Sequence, residues 1–139
     1  GLEEAEFVRW GSVHRNTFID SPRLLRPSLQ LRHHPNLFFA GQITGVEGYM
    51  ESVAMGLLAG LNAFRQRKGI EQIVPPHTTA VGSLINYIIH SQTIPFQPMN
   101  INFGLFPPLK EKVRGRRKRL LFARRALKEL EEWKRNYEL

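Results

Sequence analysis

The chain contains no cysteine. Disulfides, thiolate metal sites and cysteine nucleophiles are therefore excluded within it. It also lacks any apolar run near the ~18 residues that mark a membrane-spanning helix, so no membrane partner is expected. Its first residues, GLEEAEFVRW, have neither a basic n-region nor an apolar h-region and do not read as a signal peptide. There is no initiator methionine, which suggests a piece of something longer. No GxGxxG occurs, and no lysine stands where a phosphate-cradling P-loop would place one, so a nucleoside triphosphatase is not expected. His33, His34, His77 and His90 show no metal-ligand spacing, and no metal site is expected. Acidic residues are scarce at one end. Residues 110–139 hold 12 Lys/Arg against 5 Asp/Glu, which places +7 of the chain's net +8 in the last stretch. A localised basic block points to a polyanionic partner, most simply nucleic acid. The alternative is a solvated helix face.

What is present fits one domain of ordinary size: 139 residues, 42% hydrophobic and 23% charged, a soluble globular balance. With no cysteine and no export signal, a cytoplasmic home is the default. FVRWGSVHRNTFI (7–19) is rich in aromatic and β-branched types and predicts a strand near 7–14. SPRLLRP reads as a loop, punctuated by Pro22 and Pro27. SLQLRH (28–33) predicts a second strand, with Leu29 and Leu31 alternating. LFFAG (37–41) predicts a short strand apolar on both faces, as in sheets covered on each side. A helix is expected from about Gly48 to Arg67, with Tyr49, Val53, Leu57, Leu61 and Phe64 at helical spacing. After Pro75-Pro76, Thr78 or Thr79 can cap a helix to about Ile89 that buries Val81, Leu84, Ile85 and Ile88. Residues 91–109 carry Phe96, Met99, Phe103 and Phe106 among four prolines, the pattern of an ordered, packed loop. A last helix is expected from about Lys110 to Tyr137, with Leu120, Leu127, Leu130, Trp133 and Tyr137 as its apolar stripe.

The stretch NLFFAGQITGVEGYMESVAMGLLAGLNAF (36–64) holds Gly41, Gly45, Gly48, Gly56 and Gly60. An interior glycine costs a helix about 1 kcal/mol relative to alanine, so something must offset it. Strand, glycine loop, helix is the arrangement that aims a helix N-terminus at an anion or a polar ligand edge. Gly56 and Gly60 lie four apart and share one face, small enough for another backbone to approach. On the pattern alone, a cofactor loop and a tight strand–helix connection both remain open.

The same stretch resembles the carboxy-terminal flavin motif of the folate- and FAD-dependent tRNA uracil-5-methyltransferases. HRNTFIDSP (14–22), TAVGSLINYI (79–88) and FQPMNINFGLFPPL (96–109) are similar to further segments of that family, in the family's order. The wobble-uridine tRNA-modifying flavoproteins share the AGQ loop and the glycine-spaced helix but not the HRNTFI or FQPMNINFGL blocks. The resemblance implies an α/β fold: residues 1–69 would be the last strands and flavin-facing helix of a doubly wound FAD/NAD(P)-binding domain, and 70–139 a helical C-terminal portion. It implies FAD, methylenetetrahydrofolate and NAD(P)H as reductant, with tRNA and the missing N-terminal part of the same protein as partners. The family's dinucleotide glycine turn and its cysteines are not here, so the chain supplies no catalytic residue of its own and alone should be inactive. A non-catalytic basic RNA-binding module is the competing reading.

Roles follow from matching positions. Gly41 and Gln42 would approach the cofactor, Gln42 offering an amide donor and acceptor without charge. Val46, Glu47, Gly48 and Tyr49 would aim N–H groups at the flavin pyrimidine edge, where charge builds on reduction; Ser52 stands one turn on. His14 could stack on the folate pteridine, and Arg15 could pair with its glutamate tail or a phosphate; Asn16 completes that cluster. Arg114, Arg116, Arg117, Lys118 and Arg119 would contact tRNA phosphates, giving salt-dependent affinity without base specificity.

Overall fold

A computed structural model describes Glu3, Glu4, Glu6 and residues 17–139. The expected strand near 7–14 and the cluster His14, Arg15 and Asn16 lie outside the described residues. Among these described residues four α-helices follow in order: α1 (Ser21–Leu24), α2 (Tyr49–Arg67), α3 (Ala80–His90) and α4 (Gly115–Asn136), with a 3₁₀ turn at Gly41–Thr44. Among the described residues, extended pairing is confined to isolated bridges: Leu25 with Leu31, Gln30 with Phe38, and Val46 with Met99. The doubly wound sheet is thus not formed by these residues, which are helical with single bridges.

The expected strand at 28–33 is instead a reversal. Leu29 sits at φ +69, and the chain folds back so that Arg26 N–H donates to the Gln30 carbonyl at 2.8 Å and Arg32 N–H to the Leu24 carbonyl at 2.8 Å. Burial decides the conformation: Leu29 is fully enclosed, and its side-chain transfer from water outweighs the ~1–3 kcal/mol cost of a left-handed backbone. LFFAG is extended, but only half-covered here: Leu37 keeps 50% of its surface exposed and Phe38, Phe39 and Ala40 are intermediate.

α3 forms as the sequence reading expects. Thr79 is its N-cap, and its hydroxyl accepts from Gly82 N–H at 3.1 Å. Leu84, Ile85 and Ile88 are buried, while Val81 is intermediate. The core joins these to Leu25, Leu29, Val46, Met55, Leu58, Ile73 and Phe96, so it draws on both sides of Gly69. α2 keeps its expected bounds but turns a different face inward. Met55, Leu58, Ala59 and Asn62 are buried, whereas Tyr49 is 94%, Val53 66% and Leu57 75% exposed. α4 starts at Gly115 rather than Lys110: Val113 N–H turns back to the Glu111 carbonyl at 3.1 Å and Gly115 sits at φ +62, so the approach leaves the helical path, and a block of cations at the positive end of a helix dipole disfavours extension backwards. Its stripe also divides. Leu120 and Leu127 face solvent, Leu130, Trp133 and Tyr137 are half-buried, and Phe122 is the buried anchor.

Candidate functional site

The glycine loop is held from three sides. From the chain before α1, Ile19 N–H donates to the Ile43 carbonyl at 2.9 Å. From α1, the buried Ser21 hydroxyl donates to the Thr44 carbonyl at 2.8 Å. From the proline-rich loop, Met99 N–H donates to the Gly45 carbonyl at 2.9 Å, and Glu47 N–H donates to the Met99 carbonyl at 2.9 Å. Three sequence blocks that are distant in the chain (IDSP, the glycine stretch and FQPMN) therefore converge on one loop. Thr44 closes it internally, its hydroxyl donating to the Gly41 carbonyl at 2.7 Å.

Two glycines here are required by geometry. Gly45 sits at φ +82, and a Cβ on it would lie 2.4 Å from the Phe96 ring. Gly48 sits at φ +100, and a Cβ would meet the Glu51 carboxylate, which accepts from Ile101 N–H at 3.3 Å. Gly41 is also at positive φ, with the Ser52 side chain 3.4 Å from where its Cβ would be, so Ser52 lies beside the loop.

The N-terminus of α2 is capped by no side chain. Ser52 N–H is the first to bond into the helix, to the Gly48 carbonyl at 3.0 Å. The N–H groups of Tyr49, Met50 and Glu51 precede it and have no intrahelical partner by the geometry of a helix start. Among the described residues, Val46, Gly48 and Tyr49 donate their N–H groups to nothing, whereas that of Glu47 is taken by Met99. So of the four amides assigned to a ligand, that of Glu47 is taken by its own chain, Val46 is fully buried in the core, and those of Gly48 and Tyr49 stand at the exposed surface. Glu47 also precedes the helix; the first-turn carboxylate is Glu51. Gln42, Glu47, Gly48 and Tyr49 are exposed, so the Gly48 and Tyr49 amides lie at the surface.

Sequence reasoning missed Ser21, Met99 and Glu51. Their partners lie 23 residues away for Ser21 and 50 residues away for Glu51; no local signal encodes such pairings.

The basic block sits at the start of α4. Arg114 is its N-cap and the first turn holds no acidic residue. Arg114, Arg116, Arg117, Lys118 and Arg119 are all exposed, and among the described residues none of them forms an ion pair. Cations crowded at the positive end of a dipole are mutually unfavourable until an anion neutralises them. Among the described residues there is no cluster of metal-ligating side chains, and no helix is long and apolar enough to cross a membrane.

The start of α2 is thus uncapped and reached through left-handed glycines, and α4 opens on exposed cations that form no ion pair among the described residues. Comparison with known proteins identifies the family. The family model for glucose inhibited division protein A matches residues 1–71, and the chain belongs to that family. It is 58% identical over 133 residues to the methylenetetrahydrofolate–tRNA-(uracil-5-)-methyltransferase TrmFO of Natranaerobius thermophilus. It is 59% identical over 135 residues to the protein of the same name from Desulforudis audaxviator, and 56% identical over 134 residues to that of Bacillus cytotoxicus. Each alignment takes in 96% of this chain but only 31% of the relative.

Proposed function

We propose that the chain is the flavin- and RNA-facing portion of a longer enzyme that methylates a uridine of tRNA at C5, with methylenetetrahydrofolate as one-carbon donor and FAD as cofactor. The observation that carries this reading is the likeness to the methyltransferases, above 55% identity across 96% of the chain. The geometry supports it independently, because the unpaired and exposed amides of Gly48 and Tyr49 are suited to the polar edge of a flavin. Bound FAD would supply the reducing equivalents of the reaction, drawn from NAD(P)H. The chain's own part is to orient and polarise. Gly41 lets the cofactor approach the backbone, Gln42 adds an uncharged side-chain amide, and the α2 amides favour negative charge at the helix start. Ser52 lies beside Gly41 and is proposed with it for the cofactor. His14, Arg15 and Asn16 are proposed for folate. Thiol chemistry must come from the rest of the longer protein, since this chain has no cysteine.

The rest of that protein is also the proposed occupant of the open face of α2. Tyr49, Met50, Val53 and Leu57 expose between 66% and 94% of their surface, and nothing lies within 4 Å of a Cβ on Gly56 or Gly60. An apolar helix face of this size is not stable in water by preference. Strands supplied by the longer chain would complete the doubly wound sheet against LFFAG, with 1–69 in the flavin domain and 70–139 facing RNA in the cytoplasm.

The test is flavin content after purification of the longer protein. Wild type is expected to retain FAD, and Gln42→Ala and Gly48→Ala to lose it while the fold persists by circular dichroism. Full flavin occupancy in both variants would overturn the assignment of the site.

A further inference from the structure

The tail of the proline-rich loop carries a phenylalanine in the open. Phe103 keeps 43% of its surface exposed, yet it is not loosely held. Asn102 shapes the turn that presents it: its Oδ1 accepts from Gly104 N–H at 2.9 Å and its Nδ2 donates to the Asn100 carbonyl at 3.2 Å. Its ring lies nearly parallel to Phe122, at 20° with centroids 5.8 Å apart, and Phe106 flanks both. Phe122 is buried in α4. Arg125 locks the loop to that helix, donating to the Pro107 carbonyl at 2.6 Å and the Pro108 carbonyl at 3.0 Å, with its guanidinium 5.3 Å from the Phe122 ring centroid. On the same ring, Lys118 places its ammonium 5.6 Å from the centroid, and Lys118 belongs to the unpaired cationic run.

A rigid, part-exposed aromatic stack bordered by free cations has the two components of a single-strand nucleic-acid site: a π-face for a base and positive charge for its phosphates. We propose that Phe103 is the stacking platform for one unpaired base of the RNA, with Lys118 and the neighbouring Arg119 holding the flanking phosphates. The proposal rests on the RNA reading above and adds to it a residue that tells an unstacked base from a paired one. A purely structural Phe103 would need only apolar bulk, which leucine supplies; a stacking Phe103 needs a flat ring.

The experiment titrates the full chain with a short single-stranded RNA and with a blunt RNA duplex of equal length, over a range of salt. Phe103→Leu is expected to weaken single-strand binding roughly 5- to 150-fold, to leave duplex binding and the salt slope unchanged, and to be rescued by Phe103→Tyr. Single-strand affinity of Phe103→Leu equal to wild type overturns the platform. Should that variant fail to fold, wild-type chain irradiated with 5-iodouridine-substituted single strand decides: a crosslink at Phe103 supports stacking, and crosslinks confined to other residues overturn it. If wild type binds neither RNA, the RNA reading itself falls. If it binds through the α4 cations and ignores the Phe103 change, the platform alone falls.

Discussion

Asn62 shows how much a single side chain can organise. It is fully buried, where an unpaired amide would be costly, and it spends its groups on backbone: Nδ2 donates to the Ile73 carbonyl at 2.8 Å and the Ser28 carbonyl at 3.2 Å, and Oδ1 accepts from Ile73 N–H at 2.8 Å. It thereby replaces a strand partner for the segment around Ile73 and ties the Leu29 reversal to α2. Asn62→Ala is expected to cost about 2–4 kcal/mol, because it leaves buried backbone groups unpaired; urea denaturation measures it, and a loss near zero would contradict this role. At Gly45 the expectation is different in kind. Gly45→Ala adds a methyl into the Phe96 ring at a positive φ and should cost about 1–3 kcal/mol while displacing the Met99 pairing, visible as lost protection of the Glu47 amide in hydrogen exchange. Gly45 stands out in the sequence as one of the loop glycines, but Asn62 does not. A mid-helix asparagine reads as a solvent-facing residue, and its partners lie 34 and 11 positions away.

Among elements, α3 was legible within a residue at each end because every signal it uses is local: a threonine cap (Thr79 of the two offered), apolar residues at helical spacing, of which Val81 proves only half-buried, and prolines before it. The bounds of α2 were legible for the same reason, from Gly48 and Gly69. Its inward face was not. Apolar residues stand on two sides of α2, and periodicity cannot say which side meets the core. The burial of Met55 and Leu58 leaves Tyr49, Val53 and Leu57 outside with Gly56 and Gly60. The proposed covering of that face by the longer chain gives a prediction with a change of sign. Gly56→Ala should stabilise the 139-residue chain alone by up to about 1 kcal/mol, through helix propensity. In the longer protein it should destabilise, because the methyl blocks close approach. Thermal midpoints of the two forms measure it, and stabilisation in both would argue against a partner at Gly56. The strand expected at 28–33 failed for a tertiary reason, since alternation of Leu29 and Leu31 looks the same whether the chain runs straight or reverses to bury Leu29.

At the scale of the whole molecule, the charge asymmetry was legible by counting, whereas the doubly wound sheet is not formed by the described residues. A sheet needs neighbours for its strands, and among the described residues LFFAG pairs only with the Leu29–Leu31 segment, through the single Gln30–Phe38 bridge. The cations of α4 make a separable prediction. Replacing Arg116, Arg117, Lys118 and Arg119 by glutamine should weaken tRNA binding and reduce the slope of log affinity against log salt by about 3; an unchanged slope would place the phosphates elsewhere. The central claim, that the start of α2 offers its amides to a flavin, is tested most directly by Tyr49→Pro in the longer protein. Proline is tolerated at the first position of a helix, so the substitution deletes one donor and spares the element. The account predicts weaker FAD retention and a flavin potential more negative by about 30 mV, equivalent to about 1.4 kcal/mol for two electrons. Unchanged affinity together with an unchanged potential would contradict it.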